Sequence, residues 1–181
     1  MNFCKIVSSQ LELRLWNFSE KENLFNLIEE NRKFLYRWLR FIENIKSPKD
    51  ATGLISEGLD GYAKNTSLNL AIYYNNELSG NIVLEYDVKT HFEGEISYWI
   101  GERFQNKGLI SRCMKILLNE AFSNLNLNRV KLLIAESNVK SLKVAKKQGF
   151  TYEGTTRESY KTNNEFQNIR IYSLLKKEYE G

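Results

Sequence analysis

Apolar residues change their spacing several times along this chain, and each change predicts an element. Leu11, Leu13 and Leu15 alternate with Glu12, Arg14 and Trp16, the period of a strand. Ser19 and Glu22 have the form of a capping box, and Leu24, Leu27 and Ile28 carry a helix from there to about Arg32. A second helical stretch, residues 34–45, holds Phe34, Tyr36, Trp38 and Phe41. Pro48 stands near the start of a third, which reaches about Lys64; Gly53, Gly58 and Gly61 predict a loose or broken helix there. From Leu68 the period shortens to two. Leu68, Leu70 and Ile72 alternate, Asn75-Asn76 suits a hairpin turn, and a strand returns from Leu78 to Tyr86. Glu95 to Ile100 reads as a further strand. After it Ile110, Cys113, Met114, Leu117, Leu118, Ala121, Phe122 and Leu125 repeat at three- and four-residue steps, one face of a long helix. Asn128 to Glu136 is strand-like, and a short helix follows from the polar start at Ser137 to Ser141 and ends at Gly149-Phe150. Two strands, about 151–160 and 166–175, are joined through Thr162-Asn163-Asn164. No linker, repeat or low-complexity segment intervenes, so residues 1–181 are expected to form one α/β domain with a right-handed crossover in its strand–helix–strand part.

The strand at 95–100 passes through Gly101 and Gln105-Asn106-Lys107-Gly108 directly into a helix. The first N–H groups of a helix have no internal partner and its dipole favours negative charge, so this order can present consecutive amides to an anion. A side chain at Gly108 would hold a phosphate away from them. The spacing fits neither a P-loop nor the three-glycine dinucleotide fingerprint. It also fits an ordinary strand-to-helix connection.

Composition narrows the classes. Hydrophobic residues make up 42% and aromatic residues 13% of 181, a globular composition. No apolar run approaches the ~20 residues that span a bilayer. The start, Met1-Asn2-Phe3-Cys4-Lys5, lacks the pattern of a signal peptide. Cys4 and Cys113 have no metal or disulfide spacing, Cys113 lies on the apolar helix face, and the single histidine, His91, has no ligand-spaced partner; no metal is expected. A cytoplasmic location is the default. The net charge of +4 is too dispersed for a nucleic-acid binder, with one dense cluster at Lys140, Lys143, Lys146 and Lys147. That cluster is either a solvated helix face or an attractor of an anionic cofactor.

Taken in order, Gly101 to Ile110, Leu127 to Val130, Glu136 to Ser141 and Lys147 to Phe150 resemble the GCN5-related N-acetyltransferase (GNAT) superfamily. Leu11 to Arg14, Asn31 to Leu39, Gly154 to Glu158 and Tyr172 to Leu175 are similar to its branch of ribosomal-protein N-terminal (alanine/serine) acetyltransferases, so the resemblance covers nearly the whole chain. It implies an α/β fold with a mixed, mostly antiparallel twisted sheet, flanked by helices, in which one parallel strand pair splays apart. It implies acetyl-CoA as cofactor, and direct transfer to an amine in a ternary complex. Trp99, Ile100, Gln105, Asn106, Lys107, Gly108, Leu109, Ile110, Ser111, Asn138 and Ser141 would hold the cofactor. Ile110 departs from the small residue the family signature prefers, although bulkier residues occur in this branch. Ser141 would supply an acid for the thiolate and Glu158 the base, with Glu95 as second candidate because it shares a strand face with Ser97 and Trp99. Asn138 is also a natural helix cap, and Glu158 could equally be a surface strand residue beside Arg157. Trp38, Leu39 and Phe41 would face the acceptor, or belong to the core. The expected acceptor is a protein N-terminus, most simply of a ribosomal protein. A small amine (polyamine, amino acid or aminoglycoside), a non-catalytic acyl-CoA sensor and, more distantly, a nucleic-acid module are the alternatives, and a homo-oligomer is compatible with each.

Overall fold

In the computed structural model, residues 4–162 and 164–179 are described. One eight-stranded sheet runs in the order β1-β2-β3-β4-β5-β6-β8-β7. Its strands are β1 (Cys4–Ser8), β2 (Leu11–Leu15), β3 (Ser67–Tyr74), β4 (Glu77–Asp87), β5 (Glu93–Ile100), β6 (Arg129–Ala135), β7 (Thr151–Thr162) and β8 (Glu165–Leu175). Every neighbouring pair is antiparallel except β5 and β6. Helices α1 (Lys21–Glu30), the single turn α2 (Arg32–Leu35) and α3 (Pro48–Ala63) come between β2 and β3; α4 (Leu109–Asn119) links β5 to β6, and α5 (Val139–Lys147) links β6 to β7. Helices α1 and α3 pack together against β3 and β4, while α4 and α5 pack together and reach β4 and β6. The apolar stripe of α4 behaves as its spacing predicts: Ile110, Cys113, Met114, Leu117 and Leu118 are all buried.

Five details differ from the sequence reading. β1 precedes the first expected strand; its side chains are mostly exposed, so it carries no apolar alternation. The cap before α1 is Asn17, whose Oδ1 accepts from Ser19 N (2.9 Å) while Glu20 Oε2 accepts from Asn17 N (2.7 Å), displacing the Ser19–Glu22 box. The aromatic stretch 34–45 is not one helix. After α2 the chain turns, and a 3₁₀ segment runs over Arg40–Asn44, because Arg32 donates to Ile42 O (2.7 Å) and Ile45 O (2.5 Å) and folds the segment back. α3 is continuous despite its glycines: Ser47 caps it, and Gly58 and Gly61 let it lie against the Asn69 and Ser67 side chains. The helix after the glycine loop is regular only to Asn119 and widens into a π turn over Glu120–Asn124. Asn75 and Asn76 do take the left-handed conformation of a hairpin turn, with φ of 52° and 62°. In the final turn Asn164 has φ 61°, whereas Asn163 lies outside the described residues, as do Met1 to Phe3.

Candidate functional site

The parallel pair is joined over three register positions only: Glu93 with Arg129, Gly94 with Val130 and Glu95 with Lys131. Beyond Glu95 and Lys131 the strands diverge. Paired charges close the joined end. Arg129 contacts Glu93 Oε2 (2.7 Å) and Glu153 Oε1 (2.6 Å), and Lys131 contacts Glu93 Oε1 (2.7 Å). Burial raises the Glu93 carboxyl, but hydrogen bonds from Lys131 and Arg129 outweigh it and hold the group below its usual range. On the other edge of β5 the ladder to β4 is complete, and Gly101 N extends it by donating to Ser79 O (2.8 Å). Antiparallel alternation then assigns the main-chain groups of Trp99 to β4 and turns those of Tyr98 and Ile100 toward the gap. The gap thus offers unsatisfied strand-type hydrogen bonds to an extended ligand.

The gap opens into a cleft of about 670 Å³. Its wall includes Trp38, Leu39, Trp99, Ile100, Gln105, Asn106, Gly108, Leu109, Ile110, Ser111, Asn138 and Ser141, with Lys140 and Lys143. Gly108 sits at φ 69° and is the N-cap of α4, with no side chain capping the helix. The first intrahelical bond there is Arg112 N to Gly108 O, so the amides before it are free for a ligand. The loop is fixed from behind by Asn31: its Nδ2 donates to Leu27 O and its Oδ1 accepts from Glu102 N, both at 2.8 Å. Asn138 caps α5 by accepting from Ser141 N (3.2 Å), which leaves its amide nitrogen for other partners. These features fit a diphosphate on the α4 amides and an extended arm between β5 and β6.

Four expected site residues do not line this cleft. Lys107 is exposed beyond the loop, over the Tyr74 ring. Phe41 is partly buried against the core. Glu95 faces a second groove of about 660 Å³, with Glu57, Asp60, Glu85, Asp87 and Glu93 among its walls. Burial raises the Glu95 carboxyl above its usual range, with Lys131 3.7 Å away as partial counterweight. Glu158 lies in a bulge of β7, where Arg157, Glu158 and Ser159 face only Asn168 of β8. Its φ is 48°, its N–H donates to Asn168 Oδ1 (2.9 Å), and its side chain is exposed. The bulge brings β7 to the turn that follows α2. Tyr160 donates to Trp38 O (3.3 Å) and Thr162 Oγ1 to Arg37 O (3.0 Å), which brings the Glu158 segment toward the Trp38 side of the cleft. Sequence reasoning missed Tyr98, which also lines the cleft.

A splayed parallel pair beside an uncapped helix start makes a cleft suited to an extended chain that ends in an anionic group. The acetyltransferase (GNAT) domain model matches residues 10–151, and with that match the chain belongs to the GNAT acetyltransferases. It is an N-acetyltransferase that uses acetyl-CoA. YdaF of Bacillus subtilis (strain 168), whose name assigns it provisionally to the ribosomal N-acetyltransferases, is 34% identical over 98% of this chain and 97% of its own. The ribosomal-protein-serine acetyltransferase of Escherichia coli (strain K12) is 24% identical over 93% and 94% of the two chains. Among solved structures, RimL, the ribosomal L7/L12 α-N-protein acetyltransferase in complex with coenzyme A, shares the fold. Its TM-score is 0.91, at 21% identity over 96% of this chain and 98% of that one.

Proposed function

We propose that this enzyme acetylates the N-terminal α-amine of a protein, a ribosomal protein first among candidates, as a single domain acting in the cytoplasm. The observation that carries the reading is one cleft lined both by the uncapped start of α4 and by Trp38 and Leu39 of the turn after α2. The relatives named above support the acceptor class. In this reading the amides of Gly108 to Ser111 hold the diphosphate, with Gln105 and Asn106 in the loop beside them. Lys140 and Lys143 add positive charge. The β5 edge at Tyr98 and Ile100 pairs with the pantetheine arm, and its N–H groups polarise the thioester carbonyl. Glu158 takes the proton of the attacking amine, directly or through one water. Ser141 supplies a proton to the sulfur and recovers one from solvent.

A second reading has its own observation. The groove at Glu57, Asp60, Glu85, Asp87, Glu93 and Glu95 is strongly acidic and would suit a polycationic small amine. Turnover of acetyl-CoA against N-terminal peptides and polyamines, with mass spectrometry of the products, separates the two. Acetyl groups on peptide α-amines support the first reading; acetylated polyamine with bare peptides removes it.

A further inference from the structure

We propose that the Tyr98 hydroxyl is a catalytic hydrogen-bond donor that works with Ser141 on the sulfur of the bound thioester. This rests on the reading of the cleft given above. Tyr98 lies in the part of β5 that has left β6, and its side chain lines the cleft opposite α5. Its hydroxyl oxygen is shut off from solvent and has no hydrogen-bond partner, the sole such buried side-chain atom among the described residues. Buried polar groups are almost always satisfied, and an orphan costs stability, so the missing partner is best sought in what the cleft holds. Ser141 lines the same cleft and is the polar neighbour that bears on this hydroxyl. The Ser141 N–H is already taken by the Asn138 cap, so what Ser141 brings to this spot is its own hydroxyl.

Two hydroxyls thus converge from β5 and the first turn of α5. Burial pushes the Tyr98 phenol up to about 12, so it stays protonated at neutral pH and serves as donor, not as base. Negative charge develops on the sulfur as the new C–N bond forms and the C–S bond breaks with its electron pair on sulfur. A donor fixed at that point acts more strongly on the transition state than on the neutral thioester. The proton that ends on sulfur comes from Ser141, which regains one from water; the proton the amine loses passes to the base and then to solvent. No proton leaves Tyr98.

Tyr98→Phe removes only the orphan oxygen. The variant should melt no lower than the parent, bind acetyl-CoA by calorimetry within about threefold, and lose roughly 10- to 100-fold in kcat. A second readout does not depend on turnover: the thiol of bound CoA, titrated by its thiolate absorbance, should ionise about one pH unit higher in the variant than in the parent. An unchanged kcat with an unchanged thiol titration overturns the proposal, and so does a lower melting temperature, which would reveal a protein partner for the hydroxyl. Failure of the parent protein to bind acetyl-CoA would instead remove the reading of the cleft itself. A parent that binds and turns over beside an indistinguishable variant removes only the role of Tyr98.

Discussion

Glu158 is an acidic side chain on a backbone in the left-handed region, which glycine or asparagine occupies at lower cost. Among the described residues, the other seven non-glycine positions with that geometry are not glutamates: Asn65, Asn75, Asn76, Phe92, Asn106, Asn126 and Asn164. Retaining a glutamate there is what a functional carboxylate would require. Glu158→Gln keeps the shape and removes the base, so it should lower kcat by roughly 100-fold while shifting acetyl-CoA affinity little; unchanged turnover would remove Glu158 from the mechanism. The sequence could point to Glu158 only through resemblance, because the bulge that aims it comes from pairing with β8. Tyr98 was hidden for the opposite reason. Nothing within its strand tells which edge is left open, because that depends on the partner strand. Gly108 was legible from residue type, as the place before the helix where a side chain would block an anion; Asn106, also at positive φ, entered only through the resemblance.

At the scale of elements, the joined end of β5 and β6 is set by charge and the open end by missing pairing. Glu93 and Glu153 are both held below the ordinary carboxylate range; hydrogen bonds from Lys131 and Arg129 do this for Glu93, and Arg129 does it first for Glu153. A depressed folded value contributes stability above about pH 4.3 and loses it as pH falls through the folded values. Arg129→Met should therefore lower the melting temperature at pH 7 and flatten its decline as pH falls below about 4.3. A decline as steep as that of the parent would show that other carboxylates dominate acid unfolding. Elements with clean periodicity, such as α4 and the β3–β4 hairpin, were readable in advance. The 34–45 segment was not, since Arg32 bonds to carbonyls ten and thirteen residues away override its local helical pattern. The continuity of α3 was likewise decided by neighbours, Asn69 and Ser67, that fill the space beside its glycines.

At the scale of the molecule, the order and type of elements could be read along the chain apart from β1 and the 34–45 segment, whereas the insertion of β8 between β6 and β7 could not. That placement decides where the sheet is weakest. β6, β8 and β7 form one tightly laddered block, β1 to β5 another, and three rungs couple them through the backbone. A thioester arm lying in the gap would act as a splint between two half-sheets. Saturating CoA should then slow amide hydrogen exchange at Leu132 to Ala135 and at Tyr98 and Ile100 beyond what it does in β1 and β2, and raise the melting temperature with ligand concentration. Uniform slowing along the whole chain would mean that the halves already move as one. The same weakness has a use: a molecule hinged on three rungs can widen to release a spent carrier without unfolding either half.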